Sequence, residues 1–212
     1  YVDRSELKSY RFTLYHGYKV KQVTDQTGAA LDFRREYDYV TVTRGGADVE
    51  YLCLEYTGKS PKYYSSYAGV CLPANFAYYP IPGYRELFKD SFYGFIDCSL
   101  PYDTAFDVRC SGRKQMYCNL AARGNNHFAG NARSITLLSG YYDTLKLNDT
   151  LVVYPKYADG EIRARIKKNM GTFTKEHRDI HTIFIMDADN LTPYEHLSLI
   201  HISEPTRPLY IS

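Results

Sequence analysis

Two carboxylates stand one residue apart, Asp187 and Asp189, where the apolar run Thr182-Ile-Phe-Ile-Met186 ends. An apolar residue at every position is the pattern of a strand buried on both faces. Ligands of open α/β sheets gather at the carboxyl ends of such strands. Two carboxylates converging there repel once desolvated, which makes a divalent cation their natural partner. Magnesium or manganese held by Asp187 and Asp189 would neutralise a diphosphate leaving group. Asn190 adds a neutral oxygen, and Pro193 suits the first turn of a short helix. The bland alternative is a solvated turn at a strand end.

Other residue types with chemical potential are more scattered. His127 with Arg133 suits a phosphate site, although a single histidine near a predicted helix more often caps or packs. Arg163, Arg165, Lys167 and Lys168 could meet a polyanion, but their spacing fits the solvated face of one helix. Gly124-Asn-Asn reads as a turn rather than a phosphate-cradling loop. The five cysteines, Cys53, Cys71, Cys98, Cys110 and Cys118, contain no C-x-x-C pair, so a zinc site is unsupported. Cys110 and Cys118 are near enough in sequence to approach each other. A reduced, cytoplasmic chain is the expectation.

The elements that must position these residues fall into two patterns. Over the first hundred residues, 11–23, 38–43 and 49–58 alternate and are rich in β-branched and aromatic residues, with turns at Arg44-Gly-Gly46 and Gly58. That spacing predicts an antiparallel meander. Residues 78–88 read as a loop with a short helix, and 92–100 as another strand. From about residue 120 the period changes. Phe128, Ala132, Ile135, Leu138 and Tyr142 recur at three- and four-residue spacing, which predicts a helix over 128–142. Residues 150–155 then read as a strand and 160–170 as a helix. The helix is capped by Asp159, striped by Ile162, Ile166 and Met170, and closed by Gly171. A second strand follows into Met186. Helix, strand, helix, strand predicts a parallel, helix-covered sheet.

Composition bounds the class. Hydrophobic content of 44% with 24% charged residues fits a globular chain. A formal net charge of +2 gives no electrostatic case for nucleic acid. No run of about 18 apolar residues marks a membrane span. Tyrosine, at 23 residues beside 10 Phe and no Trp, suits half-buried strands and polar-rimmed binding faces.

Residues 180–196, IHTIFIMDADNLTPYEH, resemble the D-x-D segment of GT-A glycosyltransferases. The resemblance implies a metal-dependent transferase in which Asp187 and Asp189 hold manganese or magnesium on the diphosphate of a nucleotide-sugar, with a saccharide as acceptor. It names no catalytic base. The same stretch also resembles the first strand of NYN-type, PIN-like ribonucleases. Haloacid-dehalogenase-type phosphatases are a poorer match, since Leu191 stands where their D-x-D-x-T pattern needs threonine. A non-enzymatic, tyrosine-rich β binding module is the opposing reading. Residues 197–207, LSLIHISEPTR, resemble a translated transposon-end sequencing adapter, and Tyr1 is not an initiator methionine. The expectation is therefore a gene piece whose native part ends near His196, with 197–212 outside any argument about function. The expected organisation is α/β, α+β overall: a β-rich region over 1–120, then an incomplete Rossmann-like or GT-A-like αβαβ unit over 121–196.

Overall fold

The computed structural model describes residues 9–43, 49–59, 64–73, 77–87 and 99–186, and the backbone of 201–202. In chain order the first strands are β1 (Ser9–Thr13), β2 (Tyr18–Thr24), β3 (Phe33–Glu36), β4 (Tyr39–Thr43), β5 (Cys53–Gly58), β6 (Tyr64–Ser65), β7 (Gly69–Leu72) and β8 (Ile81–Pro82). They are followed by β9 (Thr104–Arg109), β10 (Met116–Cys118), β11 (Ala121–Gly124), β12 (His127–Ala132), β13 (Leu137–Gly140), β14 (Tyr142–Leu147) and β15 (Thr150–Pro155). Helix α1 (Gly160–Glu176) and strands β16 (Thr182–Phe184) and β17 (His201–Ile202) complete the set. The chain forms two compact units. Residues 1–62 and 74–98 make the first, and residues 63–73 and 99–212 make the second.

The first unit contains a four-stranded antiparallel sheet ordered β3-β4-β1-β8 and a β2–β5 ribbon. β4 alternates as its sequence predicts. Val40 and Val42 are fully buried while Tyr39 and Thr41 stay half-buried. Full burial of each valine contributes about 1.5–3 kcal/mol. Leu14, Val23 and Ile81 are buried as completely. β3 and β4 turn through the two-residue loop Tyr37-Asp38, with Tyr37 at φ +52°.

The second unit holds three sheets, ordered β10-β13-β7-β6, β11-β12-β9 and β14-β15-β16-β17. β7 and β13 approach each other at a glycine pair, Gly69 opposite Gly140. Any Cβ on Gly69 would lie 2.0 Å from the Ser139 carbonyl oxygen. Around them Ala68, Cys71, Leu138, Tyr142, Val153 and Phe184 form one core cluster. A second cluster joins α1 to its sheet through Val152, Met170, Ile180 and Ile183. Asp159 caps α1, accepting from the Ile162 amide at 2.8 Å.

The expected Rossmann-like or GT-A-like αβαβ unit is not what these residues form. β15, α1 and β16 lie where the sequence puts them, and β15 and β16 do run parallel. They make one βαβ step in a sheet whose other pairings are antiparallel. The predicted helix over 128–142 is instead β12, β13 and the start of β14. The helical spacing there is a coincidence of buried positions drawn from three successive strands: Phe128, Leu138 and Tyr142. Gly130 and Gly140 each disfavour a helix by about 1 kcal/mol. Pairing with β9 and β7 then supplies the hydrogen bonds that a helix would have kept local. Gly171 does not cap α1, which continues through Glu176 and ends at His177.

Candidate functional site

The first unit carries a groove of about 490 Å³. One wall comes from β1, where Tyr10 and Phe12, two residues apart, share a face of the strand. The opposite wall is Leu52, Leu54 and Tyr56, again on alternate positions, with Cys53 and Glu55 turned out to solvent. Glu50 and Tyr51 extend this wall, and Pro80 contributes from just before β8. Two of the tyrosines are fixed at their hydroxyls. Tyr56 donates to the Tyr78 carbonyl at 3.0 Å and Tyr51 to the Gln26 carbonyl at 3.3 Å. The Gln26 side-chain oxygen accepts from the Glu50 amide at 3.1 Å, which ties residues 50–51 to the β2 end. Burial, helped by the neighbouring Tyr18, pushes the Tyr56 phenol up to about 12, so it stays neutral.

A second cluster surrounds the Tyr37-Asp38 turn. One Asp38 oxygen accepts from the His16 amide at 2.7 Å and lies 2.9 Å from His16 Nδ1. The imidazole stacks on Tyr37 with ring centroids 4.1 Å apart and touches Tyr15 at 4.2 Å. Arg35 donates to the Tyr37 and Leu14 carbonyls at 2.6 and 2.7 Å. Burial lowers the Arg35 pKa, while the nearby Asp38 charge opposes that shift. A histidine oriented by a buried carboxylate is half of a general-base arrangement. The contacts of this couple close on the Tyr37-Asp38 turn, where Tyr37 is left-handed.

The second unit separates His127 and Arg133, which the sequence paired as a phosphate site. His127 lies on β12, where its Nε2 is 3.0 Å from Asp107 on β9. Arg109 reaches the other Asp107 oxygen at 3.2 Å. The His127 hydrogen bond first, then the two positive partners, hold the exposed Asp107 carboxyl below its ordinary value. Arg133 turns elsewhere, its Nε donating to the Leu100 carbonyl at 2.7 Å. His127 and Arg133 thus form no phosphate site. Arg163, Arg165, Lys167 and Lys168 are exposed on α1, and Arg163 pairs with Asp143 at 3.3 Å. They are the solvated face that their spacing predicts.

Asp187 and Asp189 lie outside the described residues. Among the described residues, no three His, Cys, Asp or Glu side chains come together in a way that could hold a metal ion. None of their helices is long and apolar enough to cross a membrane. The groove has a sequence signal of its own: the alternation of VEYLCLEYTG puts Leu52, Leu54 and Tyr56 on one face.

No family model and no curated protein matches the chain. Solved structures do. Yeast LTA4 hydrolase in complex with Bestatin aligns with a TM-score of 0.58 at 10% identity, over 87% of this chain and 32% of its own. Native leukotriene A4 hydrolase from Saccharomyces cerevisiae gives 0.57 at 9% identity, over 89% and 33%. An aminopeptidase N family protein from Idiomarina loihiensis gives 0.54 at 8%, over 82% and 33%. The chain spans about a third of the length of these proteins and shares their fold over that third. These likenesses replace the glycosyltransferase expectation, with its nucleotide-sugar donor. The D-x-D segment that suggested it is a short local pattern, whereas the aligned fold takes in most of the chain.

Proposed function

We propose that this chain is the β-sheet portion of a larger protein built like leukotriene A4 hydrolase and the aminopeptidase N family, and that it serves there as a non-catalytic framework. The observation that carries this is the shared fold over 87% of the chain and only 32% of the yeast enzyme. The side chains support the same reading. The hydrogen bonds of the His16–Asp38 couple close a turn. Packed strands hold attached groups more rigidly than loops do, which is what a positioning element requires. The four described cysteines are free thiols, which supports a reducing, cytoplasmic setting.

The test compares this chain with a longer protein that contains it. The longer protein is expected to release the fluorophore from aminoacyl-coumarin amides and to be inhibited by bestatin. The 212-residue chain is expected to do neither. Turnover by the short chain, or a longer protein with no such hydrolysis, overturns the proposal.

A further inference from the structure

We propose that the groove of the first unit is a binding site for an organic monocation, an ammonium group carried on an apolar or aromatic body. Four of its lining residues are aromatic: Tyr10, Phe12, Tyr51 and Tyr56. Aromatic faces carry partial negative charge and attract alkylammonium groups. Among the described residues that line the groove, Glu50 is the only one with a carboxylate, and none is a lysine or arginine. No cation among the described residues pairs with Glu50, although it is exposed at the groove and its backbone is tied down by Gln26. Among the described residues the charge of the site is therefore unmatched, and it is complementary to a cationic guest.

The site is also prepared in advance. The Tyr51 and Tyr56 hydroxyls are spent on backbone carbonyls, which holds each ring in place without a ligand. Less ordering is then left for the binding step. A hydrogen-bonded phenol offers its ring face rather than its hydroxyl, which suits a guest with few hydrogen bonds to give. The volume of about 490 Å³ falls in the range of small-molecule sites. Leu52 and Leu54 on the same wall would take the apolar body. The inference stands on the first unit alone and does not depend on the chain's place in a larger protein.

The test uses the whole chain with its tyrosines isotopically labelled, titrated with phenyltrimethylammonium and followed by NMR. Benzyl alcohol serves as a neutral counterpart and benzenesulfonate as an anionic one. Saturable shifts are expected at the Tyr10, Tyr51 and Tyr56 rings with the cation. Benzyl alcohol is expected to bind at least about fivefold more weakly, and benzenesulfonate not to saturate. Glu50→Gln should weaken the cation about threefold and leave benzyl alcohol unchanged. Tyr51→Leu should weaken the cation by a similar factor. Both positions are exposed, so unchanged melting will show that the variants remain folded. Equal affinity for cation and alcohol, an indifferent Glu50→Gln, or no saturable shift at these rings overturns the proposal.

Discussion

Replacing Gly69 with alanine tests the closest backbone approach in the second unit. The added Cβ would sit 2.0 Å from the Ser139 oxygen and 2.8 Å from Gly140 Cα. Carbon and oxygen rest near 3.3 Å or beyond, so the two strands must part by more than about 1 Å. That distance breaks peptide hydrogen bonds in a ladder of four residue pairs. Losing about two of them costs about 1 kcal/mol each, and overpacking adds about 1–3 kcal/mol. The expected destabilisation is about 3–5 kcal/mol, a fall of roughly 6–20 °C in a chain of this size. Backbone atoms provide the obstruction, so no side-chain rotation relieves it. Gly171→Ala is the matched control. Nothing lies within 4 Å of its would-be Cβ, and its place inside α1 predicts a gain of about 1 kcal/mol. Circular dichroism at 222 nm follows α1, which belongs to the same unit. A Gly69→Ala protein melting within about 1 °C of the parent would refute the close approach.

Removing the α1 cap with Asp159→Ala should cost about 1 kcal/mol, read as a lower urea midpoint with an unchanged slope. Leu138→Ala should cost about 2–5 kcal/mol by the same measurement, because Leu138 is fully buried in its cluster. The alkaline limb has a defined sign. Burial raises the Cys71 thiol from 9.0 to about 12 and the Tyr142 phenol from 10.0 to about 12, favouring their protonated forms in the fold. Their stabilisation is complete below about pH 9 and is lost as the pH climbs toward 12, so melting temperatures should fall over that window. A flat profile between pH 9 and 11 contradicts it. A disulfide reagent at neutral pH should label Cys53 promptly and Cys71 only on unfolding, since Cys53 is exposed and Cys71 buried.

Strands with clean alternation were legible. Residues 38–43 and 49–58 read as strands and fold as β4 and β5, because a half-buried strand writes its period into the sequence. Asp159 and the Ile166/Met170 stripe located α1 for the corresponding helical reason. The region around 128–142 was not legible. Its buried residues belong to strands whose partners lie far away, as with Leu138 opposite Cys71, and local periodicity holds no record of such pairing. The candidate site divided the same way. The alternation that builds one groove wall is visible in VEYLCLEYTG, but its meeting with Tyr10 and Phe12 is a tertiary fact. His16 and Asp38, 22 positions apart, gave no motif at all.

The route of the chain between its two units has a consequence for synthesis. Residues 63–73 belong to the second unit, yet the chain returns to the first before completing it. Gly69 pairs with Gly140, so β7 waits on the ribosome until roughly 70 further residues have been made. At about 5–20 residues per second that delay lasts several seconds. Throughout it the β6–β7 hairpin has an open edge facing the cell's other nascent strands. No single cut separates the units, so deletion from either end removes part of both or leaves one incomplete. A host that slows translation just after residue 73 should lose more of this protein to aggregates than one that slows it after residue 140.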